Sequence, residues 1–149
     1  MPSLITPREL TKWVPGKVLS ASDALGWKDV GQRTYRYVGQ DVAVRGIDHF
    51  TIVRYCVGAT RMERRFDGRW TRTHCAPGDL SLLTRSQGSH WHWTEDIDVS
   101  HVYLSEQALA QWTRRRSCLK EGMLVSSRAP MRLSVFGRKL DSWLQGRSL

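Results

Sequence analysis

Apolar and polar residues alternate with a period of two between residues 32 and 104. An extended strand sends successive side chains to opposite faces. In QRTYRYV this places Arg33, Tyr35 and Tyr37 on one face, with the intervening residues on the other. At least seven short strands at spacings near eight to twelve residues predict an all-β sandwich or barrel. The segments that carry the pattern are QRTYRYV, DVAV, HFTIVRYCV, TRMERRF, LSLL, WHW and IDVSHVYL.

Turn signals separate these predicted strands. Asp67-Gly68 stands between Phe66 and Trp70 and suits the positive φ angles of a type I′ hairpin turn. In APGD (76–79) the proline fixes φ and the glycine permits a positive one, just before the strand LSLL. Crossover helices of the kind that join parallel strands are missing between the strands. We therefore predict a mainly β domain over 32–104.

The segments on either side differ from this domain. Residues 1–31 are polar and predict a loose N-terminal segment with a short helix near ITPRELTKWV. After the last strand, Ser105 is a good N-cap and the apolar positions recur every four residues, which predicts a helix over 105–116. We expect the sheet or a second subunit to cover its apolar face, which suggests a homodimer. That face carries Ala108, Leu109 and Trp112.

The chain ends in a basic tail over 117–149, with no sustained period and one weak helical segment, SVFGRKLDSWL. The formal charge of +9 is concentrated there: residues 1–112 have a net charge of +2, and residues 113–149 a net charge of +7. Arg114–Arg116 are expected to decorate a helix end, where cations complement the dipole. Such a tail attracts phosphate through unspecific electrostatics but carries no signature for reading a nucleotide sequence.

Cysteine usage and hydropathy indicate the compartment. Cys56, Cys75 and Cys118 form no CxxC motif and cannot all pair with one another, which favours free thiols in a reducing compartment. The sequence contains neither a secretory signal nor the run of about eighteen apolar residues that a membrane span needs. We expect a cytoplasmic protein without a membrane partner.

The stretch from about 35 to 111 resembles the N-terminal effector-binding domain of AraC-type transcription regulators. The resemblance rests on DHFTIVRYCVGATRMERRFDGRW, then APGDLSLL, then SHWHWTEDIDVSHVYLSEQALAQ. It covers roughly half of the chain and depends on pattern, without an invariant catalytic motif. The resemblance implies a cupin-like jelly roll that binds a small effector or mediates dimerisation, and a non-enzymatic role in a bacterial regulator.

The DNA-binding half of that family has no counterpart in the sequence. AraC-type regulators carry about one hundred C-terminal residues with two helix-turn-helix units. Only 37 residues follow Trp112 here, and they lack the expected periodicity. The chain is therefore either a truncated or frameshifted relative, which the composition break after Gln111 favours, or a stand-alone sensor domain. Sequence-specific DNA binding is not expected of it.

The segment GSHWHW (88–93) raises the alternative of a metal site. His90 and His92 would share one strand face, and His101 would complete a three-histidine set if its strand lay adjacent. Metal-dependent cupins, however, carry an HxH pair before the Pro-Gly turn, where this chain has only the solitary His74. We therefore predict that the tryptophans face the core and that the histidines line a wetter surface. The alternative is a small metal-dependent cupin enzyme using His90, His92 and His101.

Aromatic and polar residues on the predicted strands are candidates for a ligand cavity, because small-molecule pockets combine aromatic walls with a few polar groups. No catalytic set and no cofactor are predicted. The adjacent His74 and Cys75 point apart on an extended strand, so they are not a nucleophile and its base. The candidate ligand-binding residues are Tyr35, Tyr37, Arg54, His90, His92 and Trp93.

Overall fold

Nine β-strands and one α-helix follow one another in the computed structural model, which describes residues 3–115. Two short 3-10 helices, over Pro7–Lys12 and Asp23–Leu25, lie before and after the first strand. The strands are β1 (Lys17–Ala21), β2 (Val30–Tyr37), β3 (Gln40–Val44), β4 (Phe50–Val57), β5 (Thr60–Phe66), β6 (Arg69–Cys75), β7 (Leu80–Leu83), β8 (Ser89–Trp93) and β9 (Ile97–Leu104), and the helix is α1 (Glu106–Arg115).

The strands form two antiparallel sheets, one of five strands in the order β1-β2-β9-β4-β7 and one of four in the order β3-β8-β5-β6. The strands pair in a nested way: β5 with β6, β4 with β7, β3 with β8 and β2 with β9. This is the pairing of a long hairpin folded over into two sheets, which defines a jelly roll. The prediction of a mainly β jelly roll followed by a helix is confirmed.

The core lies between the two sheets and is built by alternation along the strands. In β2, Tyr35 and Tyr37 are buried while Arg36 between them is exposed, as the period of two predicts. In β8 and β5 the same rule buries Trp93 and Met62, which are direct partners across the two strands. A one-residue shift of register would move these residues to solvent, so the burial pattern fixes the register.

The turns have the conformations that their residues favour. Asp67 and Gly68 both have positive φ, 47° and 76°, as a type I′ turn requires. At the second turn Gly78 has φ of 96°, and the backbone N–H of Asp79 donates to the carbonyl of Ala76. The Asp79 carboxylate accepts a hydrogen bond from the Ala76 N–H at 2.9 Å, which closes the turn before β7. Both turn predictions are confirmed.

The strands begin earlier than the two-residue rhythm indicates. The N-terminal segment contributes β1 and the first residues of β2, and the expected short helix is the 3-10 helix over Pro7–Lys12. All five residues of β1 are exposed, because β1 is an edge strand that pairs only with β2. A strand with no buried face shows no alternation of apolar and polar residues, so the period of two does not predict β1.

The helix α1 starts where the sequence indicates. The Ser105 hydroxyl accepts a hydrogen bond from the Ala108 N–H at 3.1 Å, which is the N-cap interaction. The same hydroxyl donates to the Asp29 carboxylate at 3.0 Å, which ties the helix start to the loop before β2. No helix of the described part is long and apolar enough to cross a membrane. The basic tail over 117–149, its predicted helix and Cys118 lie outside the described residues.

Candidate functional site

An apolar cavity of about 70 Å³ lies between the two sheets. One water molecule needs about 10–15 Å³ by this measure, so the cavity has room for roughly five water-sized groups. We call it the interior cavity. Both sheets and the N-terminal segment contribute to its wall, which consists of Leu10, Val14, Tyr37, Val42, Ile47, Val53, Tyr55, Met62, Leu83, Trp91, Trp93, Ile97, Val99 and His101.

Two residues of this wall carry a buried hydrogen-bond donor that has no acceptor among the described residues. The donors are the Tyr37 hydroxyl and the Trp93 indole N–H, and each side chain is only 4 % exposed. The two rings are neighbours, with centroids 5.8 Å apart. Leaving a buried donor unsatisfied costs about 1–3 kcal/mol, so native proteins rarely keep one without a use.

The Tyr37 ring is held in place from the side of the N-terminal segment. A Cβ atom at Gly16 would lie 2.3 Å from the Tyr37 Cδ1 atom, so only glycine leaves room for the ring. On its other side the ring stacks on Tyr35, with centroids 5.3 Å apart and an angle of 10° between the planes. Burial raises the pKa of Tyr37 well above its ordinary value, so the hydroxyl keeps its proton as a donor.

His101 forms the third polar part of the wall and belongs to a hydrogen-bonded series of buried rings. Its Nδ1 atom lies 2.9 Å from the Tyr103 hydroxyl, which in turn lies 3.0 Å from the Tyr35 hydroxyl. His101 is buried, with 7 % of its surface exposed, and this burial lowers its pKa to about 3. The imidazole is therefore neutral at physiological pH. We refer to His101, Tyr103 and Tyr35 as the tyrosine–histidine chain.

Arg33 lies two residues before Tyr35 on β2 and pairs with Asp23. Arg33 Nη2 donates to the Asp23 carboxylate at 2.8 Å. Hydrogen bonding to Asp23 is the largest cause that raises the pKa of the guanidinium.

Arg64 lies on the inner face of β5, on the same side as Met62. Its Nη1 atom donates to the Ser81 hydroxyl of the opposite sheet at 2.9 Å, and its guanidinium lies 5.6 Å from the centre of the Trp91 ring. The Ser81 oxygen is also 3.4 Å from the Tyr55 hydroxyl. Arg64 and Ser81 thus contact Trp91 and Tyr55, two residues that line the interior cavity.

The structure answers the question that GSHWHW raises. Trp93 is buried against the interior cavity, whereas His90 and His92 lie on the outer face of the four-stranded sheet. There His90 contacts the Asp41 carboxylate, and His92 Nδ1 lies 3.6 Å from the Glu63 carboxylate. The tryptophans face the core and the histidines face the surface, as predicted.

The candidate ligand-binding residues are therefore not all brought together. Tyr37 and Trp93 are on the cavity wall, and Tyr35 lies directly behind Tyr37. Arg54 does not reach the cavity, because its neighbours Val53 and Tyr55 in β4 occupy the inner face and alternation turns Arg54 outward. His90 and His92 are separated from the cavity for the same reason, so the structure corrects the placement of these three residues.

The three-histidine metal set of the alternative enzyme does not form. His90 and His92 lie outside the four-stranded sheet, whereas His101 lies in β9 of the five-stranded sheet and points into the interior. Within residues 3–115 no group of three or more His, Cys, Asp or Glu side chains is arranged to hold a metal ion. His74 and Cys75 do point apart, because Cys75 is buried and His74 is exposed.

His101 was missed as a residue of the cavity wall, and Tyr103 as its buried hydrogen-bond partner, although the sequence contained the signal. In IDVSHVYL the alternation that buries Ile97 and Val99 also carries His101 and Tyr103 to the inner face. Polar side chains on the same face as buried apolar ones are hydrogen-bonded or functional. The sequence prediction considered His101 only as a possible metal ligand, and not as a buried hydrogen-bonding residue.

The residues expected to form a dimer contact lie on α1. Ala108 and Leu109 are half-buried, and Trp112 is 45 % exposed. The helix packs near β9, next to its own start. A contact between this face and a second subunit remains a prediction.

Comparisons with known proteins agree with the fold in outline. No protein-family model matches the sequence, and no curated protein matches it significantly. Solved structures with a similar fold include the Clostridium difficile EutQ protein, at 12 % identity and a TM-score of 0.47, over 60 % of this chain and 66 % of that one. A Cupin 2 conserved barrel domain protein from Salinispora arenicola shares 15 % identity at a TM-score of 0.45, over 67 % and 82 % of the two chains.

A B. subtilis oxalate decarboxylase variant matches at 11 % identity and a TM-score of 0.48, over 60 % of this chain and 25 % of its own. The chain thus spans about two thirds of the EutQ protein's length and a quarter of the decarboxylase's. The assignment of a jelly roll rests on the strand order of the chain itself.

Proposed function

We propose that this chain is a non-enzymatic regulatory module that binds a small effector molecule inside its jelly roll, as the resemblance to AraC-type effector domains implies. The proposal rests on one observation: the interior cavity between the sheets, with its aromatic and aliphatic wall. Apolar pockets with a few convergent polar groups are the usual form of small-molecule sites. The proposal includes a cytoplasmic location and no sequence-specific DNA binding by this chain.

The size of the cavity places a condition on the effector. Drug-sized ligands occupy roughly 300–1,000 Å³, whereas the interior cavity measures about 70 Å³. A larger effector therefore needs part of the wall to move. Three wall residues come from outside the sheets: Leu10 and Val14 from the N-terminal segment, and Ile47 from the loop between β3 and β4. Displacing Leu10 and Val14 widens the cavity without breaking a strand pair, and it would transmit binding to the N-terminal segment.

The direct test is ligand-induced stabilisation. A library of neutral, anionic and cationic small molecules is screened by thermal unfolding, and a true effector at about one hundred times its Kd raises Tm by roughly 5–10 °C. Val42→Phe fills the cavity from β3 and should abolish the shift. Ala43→Phe adds the same ring to the next residue, on the outer face, and should leave the shift intact.

Two results would refute the proposal. One is a library in which no compound stabilises the protein in a way that Val42→Phe removes. The other is catalytic turnover of a bound compound by the purified protein.

A homodimer through α1 belongs to the same proposal. Its support is the exposed Trp112 on a helix whose Ala108 and Leu109 are half-buried. Sedimentation velocity over a range of concentrations measures it, and Trp112→Ser should shift the equilibrium towards monomer. A concentration-independent monomer would rule the dimer out.

A further inference from the structure

We propose that the interior cavity is dry and selects a small hydrocarbon of about three to five carbon atoms, without a charge or a hydrogen-bonding group. This inference rests on the proposed function and specifies the chemical class of the effector. Three observations lead to it: the wall presents carbon to the cavity, its polar groups are paired or turned away, and the cavity is small.

The wall of the interior cavity carries no ionic side chain to pair with a charged ligand. Its described residues include no Lys, Arg, Asp or Glu, and the surface that they present to the cavity is almost wholly carbon. His101 is neutral at physiological pH because burial lowers its pKa to about 3. An ion that leaves water for these surroundings loses its hydration without gaining a counter-charge. Carboxylates, phosphates and ammonium compounds are therefore disfavoured.

Two wall residues already use their polar groups in contacts within the protein. The Trp91 indole N–H donates to the Ser89 hydroxyl at 2.7 Å. The Tyr55 hydroxyl lies 3.4 Å from the Ser81 hydroxyl of the neighbouring strand. A ligand could use either group only by replacing a contact that the protein makes by itself, so neither group favours a polar ligand.

Other polar atoms of the wall are turned away from the cavity. The Tyr37 hydroxyl and the Trp93 indole N–H have no partner among the described residues, but both atoms have almost no exposed surface. A ligand in the cavity therefore contacts carbon atoms of these two rings and not their donors. His101 directs its Nδ1 atom to the Tyr103 hydroxyl, 2.9 Å away. The wall thus offers a ligand almost no polar atom.

The same wall makes water a poor occupant of the cavity. A buried water molecule typically makes about two to four hydrogen bonds, and cavities lined by carbon stay dry. An apolar ligand would therefore displace no ordered water, and it would gain the dispersion contacts that an empty space lacks. An alcohol or a ketone would lose its hydrogen bonds with water and find no replacement.

The size of the cavity limits the size of the hydrocarbon. An apolar cavity of about 150 Å³ holds one benzene molecule. The interior cavity measures about 70 Å³, roughly half of that, which corresponds to about three carbon atoms. Room for roughly five water-sized groups gives an upper limit of about five. A larger hydrocarbon fits only when Leu10 and Val14 move.

Four probes with three non-hydrogen atoms each separate these chemistries: propane, ethanol, ethylammonium and formate. The full chain, labelled with carbon-13 at its methionine methyl groups, is titrated with each probe. The methyl resonance of Met62, identified through Met62→Leu, is followed because Met62 lines the cavity. We expect propane to shift this resonance saturably. The other three should bind at least tenfold more weakly, because their polar atoms lose hydration without a partner on the wall.

A pair of matched variants tests whether the carbon surface is the cause. Val53→Thr keeps the shape of the side chain and places a hydroxyl on the wall. Because this hydroxyl can pair with the hydroxyl of ethanol, the ratio of propane affinity to ethanol affinity should fall at least threefold. Val102→Thr is the control, because Val102 is also buried but does not border the cavity. Its ratio should equal that of the parent protein.

A second pair keeps the test decisive if Val53→Thr fails to fold. Val42→Phe fills the cavity and should abolish the Met62 response to propane, whereas Ala43→Phe, on the outer face of β3, should retain it. A response of equal size in both variants would mean that propane binds elsewhere, and it would overturn the inference.

The remaining outcomes distinguish this inference from the proposed function. Binding of ethanol, ethylammonium or formate as tight as that of propane, no response of Met62 to propane, or an equal change of ratio in Val102→Thr overturns the inference on ligand class. The proposed function fails separately, when the wide library yields no compound whose stabilisation Val42→Phe removes. A charged or hydrogen-bonding effector found in that library would contradict this inference and leave the proposed function intact.

Discussion

His101 inside the jelly roll and His90 on its outer surface carry the same side chain and have opposite surroundings. His101 is buried, contacts Tyr103 and has a pKa lowered to about 3 by burial. His90 contacts the Asp41 carboxylate at the surface and lies 5.1 Å from the half-exposed Trp70 ring. The face of the sheet on which each histidine lies, and not the residue type, therefore determines its burial and its contacts.

The same comparison applies to the tryptophans and predicts the largest effect. Trp93→Ala removes a ring that is only 4 % exposed and should destabilise the protein by about 3–5 kcal/mol. Trp70→Ala removes a ring that is 46 % exposed and should cost less than about 1 kcal/mol. Urea unfolding monitored by circular dichroism measures both. Equal losses would mean that the interior is not packed as described.

The pH dependence of stability should separate His101 from the surface histidines. Below a pH of about 6.5 the unfolded chain binds a proton at His101, whereas the folded chain stays neutral down to about 3. The unfolded state therefore binds more protons in this window. Stability should fall as pH decreases, by about 1.4 kcal/mol per pH unit from this group alone.

The non-titrating variant His101→Gln isolates that contribution. Between pH 7 and pH 4 it should lose about 3 kcal/mol less stability than the parent protein, because all other groups titrate in both. Urea unfolding at a series of pH values gives the two curves. Parallel curves would show that His101 is not enclosed in the folded state.

The surface histidines should contribute little. His90→Gln and His92→Gln each break a contact with a carboxylate, but the histidine side chains are 33 % and 41 % exposed. Exposed pairs of this kind contribute about 0–1 kcal/mol, and salt weakens them further. The free energy of unfolding at pH 7 and two salt concentrations tests this. A loss above about 2 kcal/mol in either variant would place that histidine in a structural role.

The smallest expected effect concerns the unpartnered donors. Tyr37→Phe and Thr51→Val each remove a buried polar atom that has no described protein partner. In the absence of effector, neither variant should lose stability, and each is expected to gain up to about 1 kcal/mol. Thermal unfolding measures the change. A clear loss in Tyr37→Phe would show that its hydroxyl is already satisfied in the folded protein.

Alternation in the sequence located most strands and both sharp turns, because burial of one face leaves a readable period of two. It also predicted that Trp93 faces inward and that His90 and His92 face outward. It failed at β1, where no face is buried, and at Arg54, whose placement depends on which face of β4 the sandwich encloses. The same ambiguity hid His101 as a residue of the cavity wall and Tyr103 as its buried partner.

The sequence alone determined the β class, the Asp67-Gly68 and Pro77-Gly78 turns and the N-cap at Ser105, because each depends on neighbours within a few residues. Only the tertiary structure decided that β9 lies between β2 and β4, and with it the contacts of the tyrosine–histidine chain. Tyr35 and Tyr103 are 68 residues apart in sequence. Contacts over such distances are selected by how two sheets pack, and no local pattern encodes that choice.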